Sequence, residues 1–135
     1  MPRKNPPDFE LDKFKNWLNN LRKASQKEIV LVDCKSDKDE LESFAVENVI
    51  LLDKESPYKT LDYIAGSGKK CILLTDLNPR GRKLTQQLEA KFEDKGIKFN
   101  PRFRKLLFTT KIRTVSALSG YLHRETPTRR KDVVF

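Results

Sequence analysis

Two cysteines, Cys34 and Cys71, and a single histidine, His123, supply all the thiol and imidazole chemistry in this chain of 135 residues. Two thiols and one imidazole cannot complete a tetrahedral zinc site unaided. With one histidine, no Ser/His/Asp or Cys/His arrangement stands at useful spacing, and His123 reads as a surface residue near a basic tail. Long apolar runs are also missing. None approaches the ~20 residues a membrane helix requires, and the opening MPRKNPPDFE lacks the apolar core of a signal peptide. The expectation is a cytoplasmic protein without a membrane partner, in which a disulfide is not favoured and both thiols are buried and unpaired. No internal repeat and no low-complexity block interrupts the chain.

What the sequence has in quantity is charge, unevenly placed. The formal net charge is +9 with a pI near 9.6. Residues 1–97 hold 18 basic and 17 acidic side chains, whereas residues 98–135 hold 10 basic and 2 acidic. A near-neutral body joined to a strongly basic segment points to an anionic partner, and nucleic acid is the favoured polyanion. A solvated basic tail that only maintains solubility is the competing reading.

Hydropathy patterning gives an α/β layout. Leu11, Phe14, Trp17, Leu18 and Leu21 recur at spacings of three and four, which predicts a first helix opening at Asp8 and ending near Ser25. Three short continuous apolar runs follow, at Ile29–Val32, Val49–Leu52 and Cys71–Leu74. Continuous runs of this length fit strands covered on both faces of a parallel sheet. Between and after them, helices are expected over Asp37–Val46, Pro57–Ala65 and Arg82–Asp94, with Gly96 closing the last and Ile97–Phe99 as a fourth strand. The alternation predicts an open, mostly parallel sheet with flanking helices. Residues 1–26 would form a docking helix, 27–100 the α/β core, 101–125 a basic extension with a short helix over Thr114–Arg124, and 126–135 a mobile tail. Gly66-Ser67-Gly68-Lys69-Lys70 looks like part of a phosphate-binding P-loop but precedes a strand and lacks the Ser or Thr after its lysine, so it reads as a helix stop.

In an open parallel sheet, ligands bind beyond the carboxyl ends of the strands. Each of the three apolar runs leads into an aspartate there, Asp33, Asp53 and Asp76. Gathered carboxylates repel unless a cation lies between them, so a hard divalent ion is the functional reading. Turn formation and helix capping is the alternative, favoured for Asp53, which precedes Lys54-Glu55-Ser56-Pro57. Asp37 also reads as a cap, for the helix it opens. Glu28 and Asp37 could join the site only if their turns folded back.

The stretches Val32-Asp33-Cys34 and Thr75-Asp76-Leu77-Asn78-Pro79-Arg80-Gly81 resemble the Toprim domain family, and the layout is similar to that of its small stand-alone archaeal members. That family places a glutamate, usually followed by glycine, after its first strand and D-x-D, commonly extended to D-x-D-x-x-G, after its third. Here Asp33 stands in the glutamate's place, Cys34 in the glycine's, Asp76 and Asn78 in those of the two aspartates, and Gly81 in that of the closing glycine. The resemblance implies a Rossmann-like Toprim sheet and one weakly held Mg²⁺ between Asp33 and Asp76, with Asn78 as an uncharged auxiliary ligand. If the site were catalytic, Asp33 and Asp76 would carry it. Cys34 would forgo any positive φ that a glycine there provides.

Arg80, Arg82 and Lys83 beside the motif, and Arg102, Arg104, Lys105, Lys111 and Arg113 after Pro101, are the expected phosphate contacts. Phe103 and Phe108 are interleaved with the latter, and Leu106 with at least one phenylalanine is assigned to the core. Tyr58 and Tyr63 are expected to pack from a helix onto the sheet. Topoisomerases of the Toprim family carry their nucleophilic tyrosine on a separate domain, so strand passage is not expected of this chain. The favoured function is binding of structured nucleic acid, RNA before DNA by analogy with a Toprim ribosomal-RNA nuclease. A Mg²⁺-dependent nuclease or phosphotransferase, and a ribosome- or repair-associated interaction module with a vestigial metal site, are the alternatives.

Overall fold

The computed structural model describes residues 5–109, with side chains from residue 12 onward. The elements run α1 (Asn5–Ser25), β1 (Ile29–Val32), α2 (Lys35–Ser43), β2 (Val49–Leu51), α3 (Pro57–Ser67), β3 (Cys71–Leu73), α4 (Pro79–Lys95), β4 (Phe99–Asn100) and α5 (Arg102–Leu107). The four strands form one parallel sheet in the order β2-β1-β3-β4. The anticipated helix over Thr114–Arg124, the tail, His123, Lys111 and Arg113 lie outside the described residues.

Each apolar run is continuous because successive side chains enter opposite layers. Val30, Val32, Ile72 and Leu74 face a cluster with Phe14, Trp17, Leu18 and Leu21 of α1, Leu41 of α2, and Phe103 and Leu107 of α5. Ile29, Leu31, Cys71 and Leu73 face the other side, against Leu61 and Ile64 of α3 and Leu88 and Phe92 of α4. Both faces are thus covered, as the uninterrupted hydrophobicity requires. The Trp17 indole N–H donates to the Phe103 carbonyl at 2.8 Å and joins α1 to α5.

Chain reversals use the expected punctuation with one exception. Gly68 and Gly96 end α3 and α4 in left-handed conformations. After α2, Ala45 takes the same conformation at φ 67°. Its N–H bonds to the Glu42 carbonyl and that of Val46 to the Leu41 carbonyl, a Schellman closure built without glycine.

Several expectations are corrected. Helix α2 begins at Lys35, two residues before Asp37, with Cys34 at the cap position. Tyr58 and Tyr63 lie on α3 but face outward, since the buried stripe of that helix is Thr60, Leu61 and Ile64. Lys91 and Lys95 of α4 lie over the Tyr58 ring. Leu106 is 52% exposed and Leu107 is buried in its stead, while Phe103 is the expected core phenylalanine. Neither thiol is in a disulfide; Cys71 is buried and Cys34 only half-buried.

Candidate metal centre at the strand carboxyl ends

The strand order places β1 and β3 side by side at the centre of the sheet. Helix α2 leaves β1 toward one layer and α4 leaves β3 toward the other. Their divergence opens the crevice where parallel sheets bind ligands. Asp33 follows β1 directly and is 2% exposed; Asp76 follows β3 and is 9% exposed.

A third carboxylate enters from α2. Asp37 occupies that helix's first turn and is 2% exposed. Leu41, four residues on, is fully buried, so helical spacing carries Asp37 onto the same inward face. This is the residue that sequence reasoning missed by treating it as a cap. The signal was its i, i+4 relation to Leu41. Burial drives the Asp37 carboxyl up to about 7, with Asp76, Asp33 and Glu40 adding repulsion and Arg80 opposing it.

One ligand atom each from Asp33, Cys34 and Asp37 lie within 4.8 Å of one another, a grouping that could hold a metal ion. Asp33 Oδ2 faces the Arg80 guanidinium at 3.6 Å. Asp33 Oδ1 and Asp37 Oδ2 are buried without a hydrogen-bond partner. Partnerless buried oxygens are costly. A cation among them would relieve that cost, so the residues fit a metal on chemistry as well as spacing.

Asn78 serves the helix. It caps α4, its Oδ1 accepting the Gly81 N–H at 2.7 Å. The role anticipated for it as an auxiliary ligand therefore competes with a capping bond. Gly81 has a separate task. A Cβ built there would lie 2.0 Å from the Asp76 carbonyl oxygen and 2.7 Å from its carbon. Only a residue without a side chain lets the first turn of α4 pass this close to the strand end. Thr85 fastens the contact, donating to the Gly81 carbonyl at 2.8 Å and sharing a short hydrogen bond with Thr75. The glycine in Asp76-x-x-x-x-Gly81 is thus a packing requirement of the site.

Arg104 is engaged differently from the expected phosphate contact. Its Nε donates to the Thr75 carbonyl at 2.8 Å and an Nη to the Asp76 carbonyl at 2.6 Å. The guanidinium closes the backbone of the β3–α4 connection from below and lies over Phe108. Arg80, Arg82 and Lys83 are exposed at the start of α4, and Arg102 and Lys105 are exposed on α5. Arg80 and Lys83 line a groove of about 280 Å³ with Leu52, Lys54, Leu84 and Gln87. Lys54 is a further cation that the linear sequence did not single out.

The remaining positions separate from the centre. Asp53 is exposed and accepts the N–H groups of Glu55 and Ser56, the turn role favoured for it. Glu28 precedes β1 and so lies at the opposite edge of the sheet. Cys34 sits at φ −129°, ordinary extended backbone, so the turn does not need a glycine. Burial pushes the Cys71 thiol up to about 12, which leaves it inert. No helix among the described residues is long and apolar enough to cross a membrane.

No family model matches the chain. It is similar to the UPF0292 protein MJ1624 of Methanocaldococcus jannaschii, at 26% identity over 122 residues, covering 87% of this chain and 95% of the relative. A solved structure of a putative protein from Aquifex aeolicus aligns with a TM-score of 0.72 and 30% identity, covering 76% of this chain and 94% of the other. The α/β architecture with its open parallel sheet is shared with that structure, and at this identity over nearly its whole length the chain belongs to the same family as the Aquifex protein.

Proposed function

We propose that this protein is a cytoplasmic, Toprim-like nucleic-acid-binding protein, with RNA preferred to DNA, that engages phosphates beside a divalent-cation site at the carboxyl ends of β1 and β3. The observation that carries the reading is the pairing of two buried, partnerless carboxylate oxygens, on Asp33 and Asp37, with exposed cations immediately outside them. A basic groove lined by Lys54, Arg80 and Lys83, joined to the carboxylates through the Arg80–Asp33 pair, suits a phosphate bridged to a cation. Asp33 and Asp37 would hold the ion, with the Asp76 charge at the neighbouring strand end outside the ligand grouping. The bound divalent cation would supply positive charge that screens the carboxylates and attracts a phosphate oxygen.

The chain's own residues divide the remaining work. Arg80 orients Asp33 while its exposed face meets phosphate, and Lys83, Lys54 and Arg82 add non-specific backbone contacts. Arg102 and Lys105, exposed on the helix that follows β4, would add further phosphate contacts. Arg104 holds the Asp76 backbone in place from behind. A ribosome-associated role is compatible with this surface.

The presence of Asp37 favours one second reading, a Mg²⁺-dependent nuclease or phosphotransferase. Three carboxylates offset more cationic charge than the two anticipated from the sequence. Titration of labelled structured RNA, duplex DNA and single strands in Mg²⁺ or EDTA tests both. Binding should weaken steeply with salt. Joint replacement of Lys54, Arg80 and Lys83 by alanine should lower the log–log salt slope by about two to three. Lack of salt-dependent binding to any probe overturns the proposal; Mg²⁺-dependent cleavage lost in Asp76→Ala selects the enzyme.

A further inference from the structure

The position where the resemblance puts a glycine carries a thiol, and that thiol points into chemistry. Cys34 is half-buried between Asp33 and Asp37, and its Sγ belongs to the same 4.8 Å grouping as their carboxylate oxygens. It makes no side-chain cap for α2 although it occupies the cap position. Its backbone is relaxed, so steric need does not explain the residue. The two flanking carboxylates each bring a buried oxygen without a partner.

We propose that Asp33, Cys34 and Asp37 form a three-ligand site selective for a thiophilic divalent cation of the zinc or cobalt type over magnesium. This rests on the proposed cation site and names its occupant. Hard Mg²⁺ takes oxygen donors in an octahedral shell, whereas a thiolate favours borderline and soft ions. Zinc accepts mixed sulfur and carboxylate donors at ~2.0–2.3 Å, which places tetrahedral donors about 3.3–3.7 Å apart. The widest pair of the grouping therefore closes by no more than about 1.5 Å, a movement side-chain torsions can supply. Coordination forms a metal–sulfur bond and releases the thiol proton to solvent, with no oxidation. Three protein ligands leave the fourth position open, the pattern of reactive rather than structural zinc sites. That open position would face the groove bordered by Arg80, whose guanidinium stands 3.6 Å from Asp33 Oδ2. Two thiols and one histidine are too few for a zinc site by themselves; the carboxylates complete it.

The test is cobalt titration of the full chain, followed by near-ultraviolet absorption and by competition with Zn²⁺ and Mg²⁺. The expected result is a thiolate-to-cobalt charge-transfer band that Zn²⁺ abolishes and equimolar Mg²⁺ leaves intact. Cys34→Ser should remove the band and weaken Co²⁺ binding by more than about tenfold, while Cys71→Ser retains both. In the unaltered protein, Zn²⁺ and not Mg²⁺ should protect Cys34 from alkylation, a readout that does not depend on a variant folding. Cobalt binding without a thiolate band, or with Cys34 still alkylated at full rate, overturns the cysteine ligand but keeps the carboxylate site. Absence of Co²⁺, Zn²⁺ and Mg²⁺ binding overturns the cation reading itself.

Discussion

Replacing Gly81 by alanine tests whether the start of α4 is docked as closely as the site requires. The added Cβ would stand 2.0 Å from the Asp76 carbonyl oxygen, 2.7 Å from its carbon and 3.1 Å from its Cα. Ordinary contact begins beyond about 3.2 Å for a carbon against a carbonyl oxygen, so helix and strand end must part by roughly 1 Å. These are backbone atoms on both sides, and no flexible side chain can yield. Overpacking costs typically ~1–3 kcal/mol. The Asn78 cap and the Thr85 bond to the Gly81 carbonyl are strained by the same displacement, so a net loss of about 3 kcal/mol is expected. The intrinsic helix preference of alanine, about 1 kcal/mol over glycine, works against this loss and is included in it. Gly66→Ala is the matched control. It lies in α3, is exposed, and a Cβ there meets nothing within 4 Å. That variant should gain about 0.5–1 kcal/mol. Urea denaturation of the two variants beside the parent, at unchanged m-value, reads the difference directly. Gly81→Ala within 0.5 kcal/mol of the parent would refute the close approach and the packing reading of the motif glycine.

Asp37→Asn should stabilise the metal-free protein at neutral and alkaline pH. The folded carboxyl titrates near 7 against 3.8 for the free group, because burial and the charges of Asp76, Asp33 and Glu40 outweigh Arg80. The native state therefore binds the proton more tightly, and its advantage is complete below pH 3.8 and lost as pH rises toward 7. At ~1.4 kcal/mol per pH unit this contribution amounts to about 4 kcal/mol in all, of which about 3 kcal/mol falls between pH 5 and pH 8, so denaturation in EDTA at those two pH values should show the parent falling and the variant flat relative to it. Ala45→Gly should raise stability by about 1 kcal/mol, since φ 67° strains any residue with a Cβ; an unchanged urea midpoint contradicts the Schellman closure. Arg104→Met should lower stability by about 2–4 kcal/mol through two abandoned carbonyls. The neighbouring Arg102→Ala and Lys105→Ala should stay within about 0.5 kcal/mol, as exposed substitutions do.

The linear order of residues determined the framework. Continuous apolar runs at Ile29–Val32 and Cys71–Leu74 can be stable only where both strand faces are covered, and alternation with amphipathic helices then requires parallel strands. Strand ends in a parallel sheet share one edge, so Asp33 and Asp76 belong to the same edge by sequence alone. Local chemistry also named the Asp53 turn and the stops at Gly68 and Gly96. The rest depended on phase and distance that no local pattern encodes. The helix start at Lys35 puts Asp37 inside the first turn and turns it inward, which the cap reading does not convey. The phase of α5 sent Phe103 and Leu107 to the core and Leu106 outward, and folded Arg104 onto the backbone of Thr75 and Asp76. Likewise, the need for glycine at position 81 arises from a carbonyl five residues earlier. Periodicity fixes which layer a segment belongs to because hydrophobic burial is non-directional; hydrogen bonds, contacts at van der Waals distance and ligand shells are directional, and only the packed tertiary structure sets their directions.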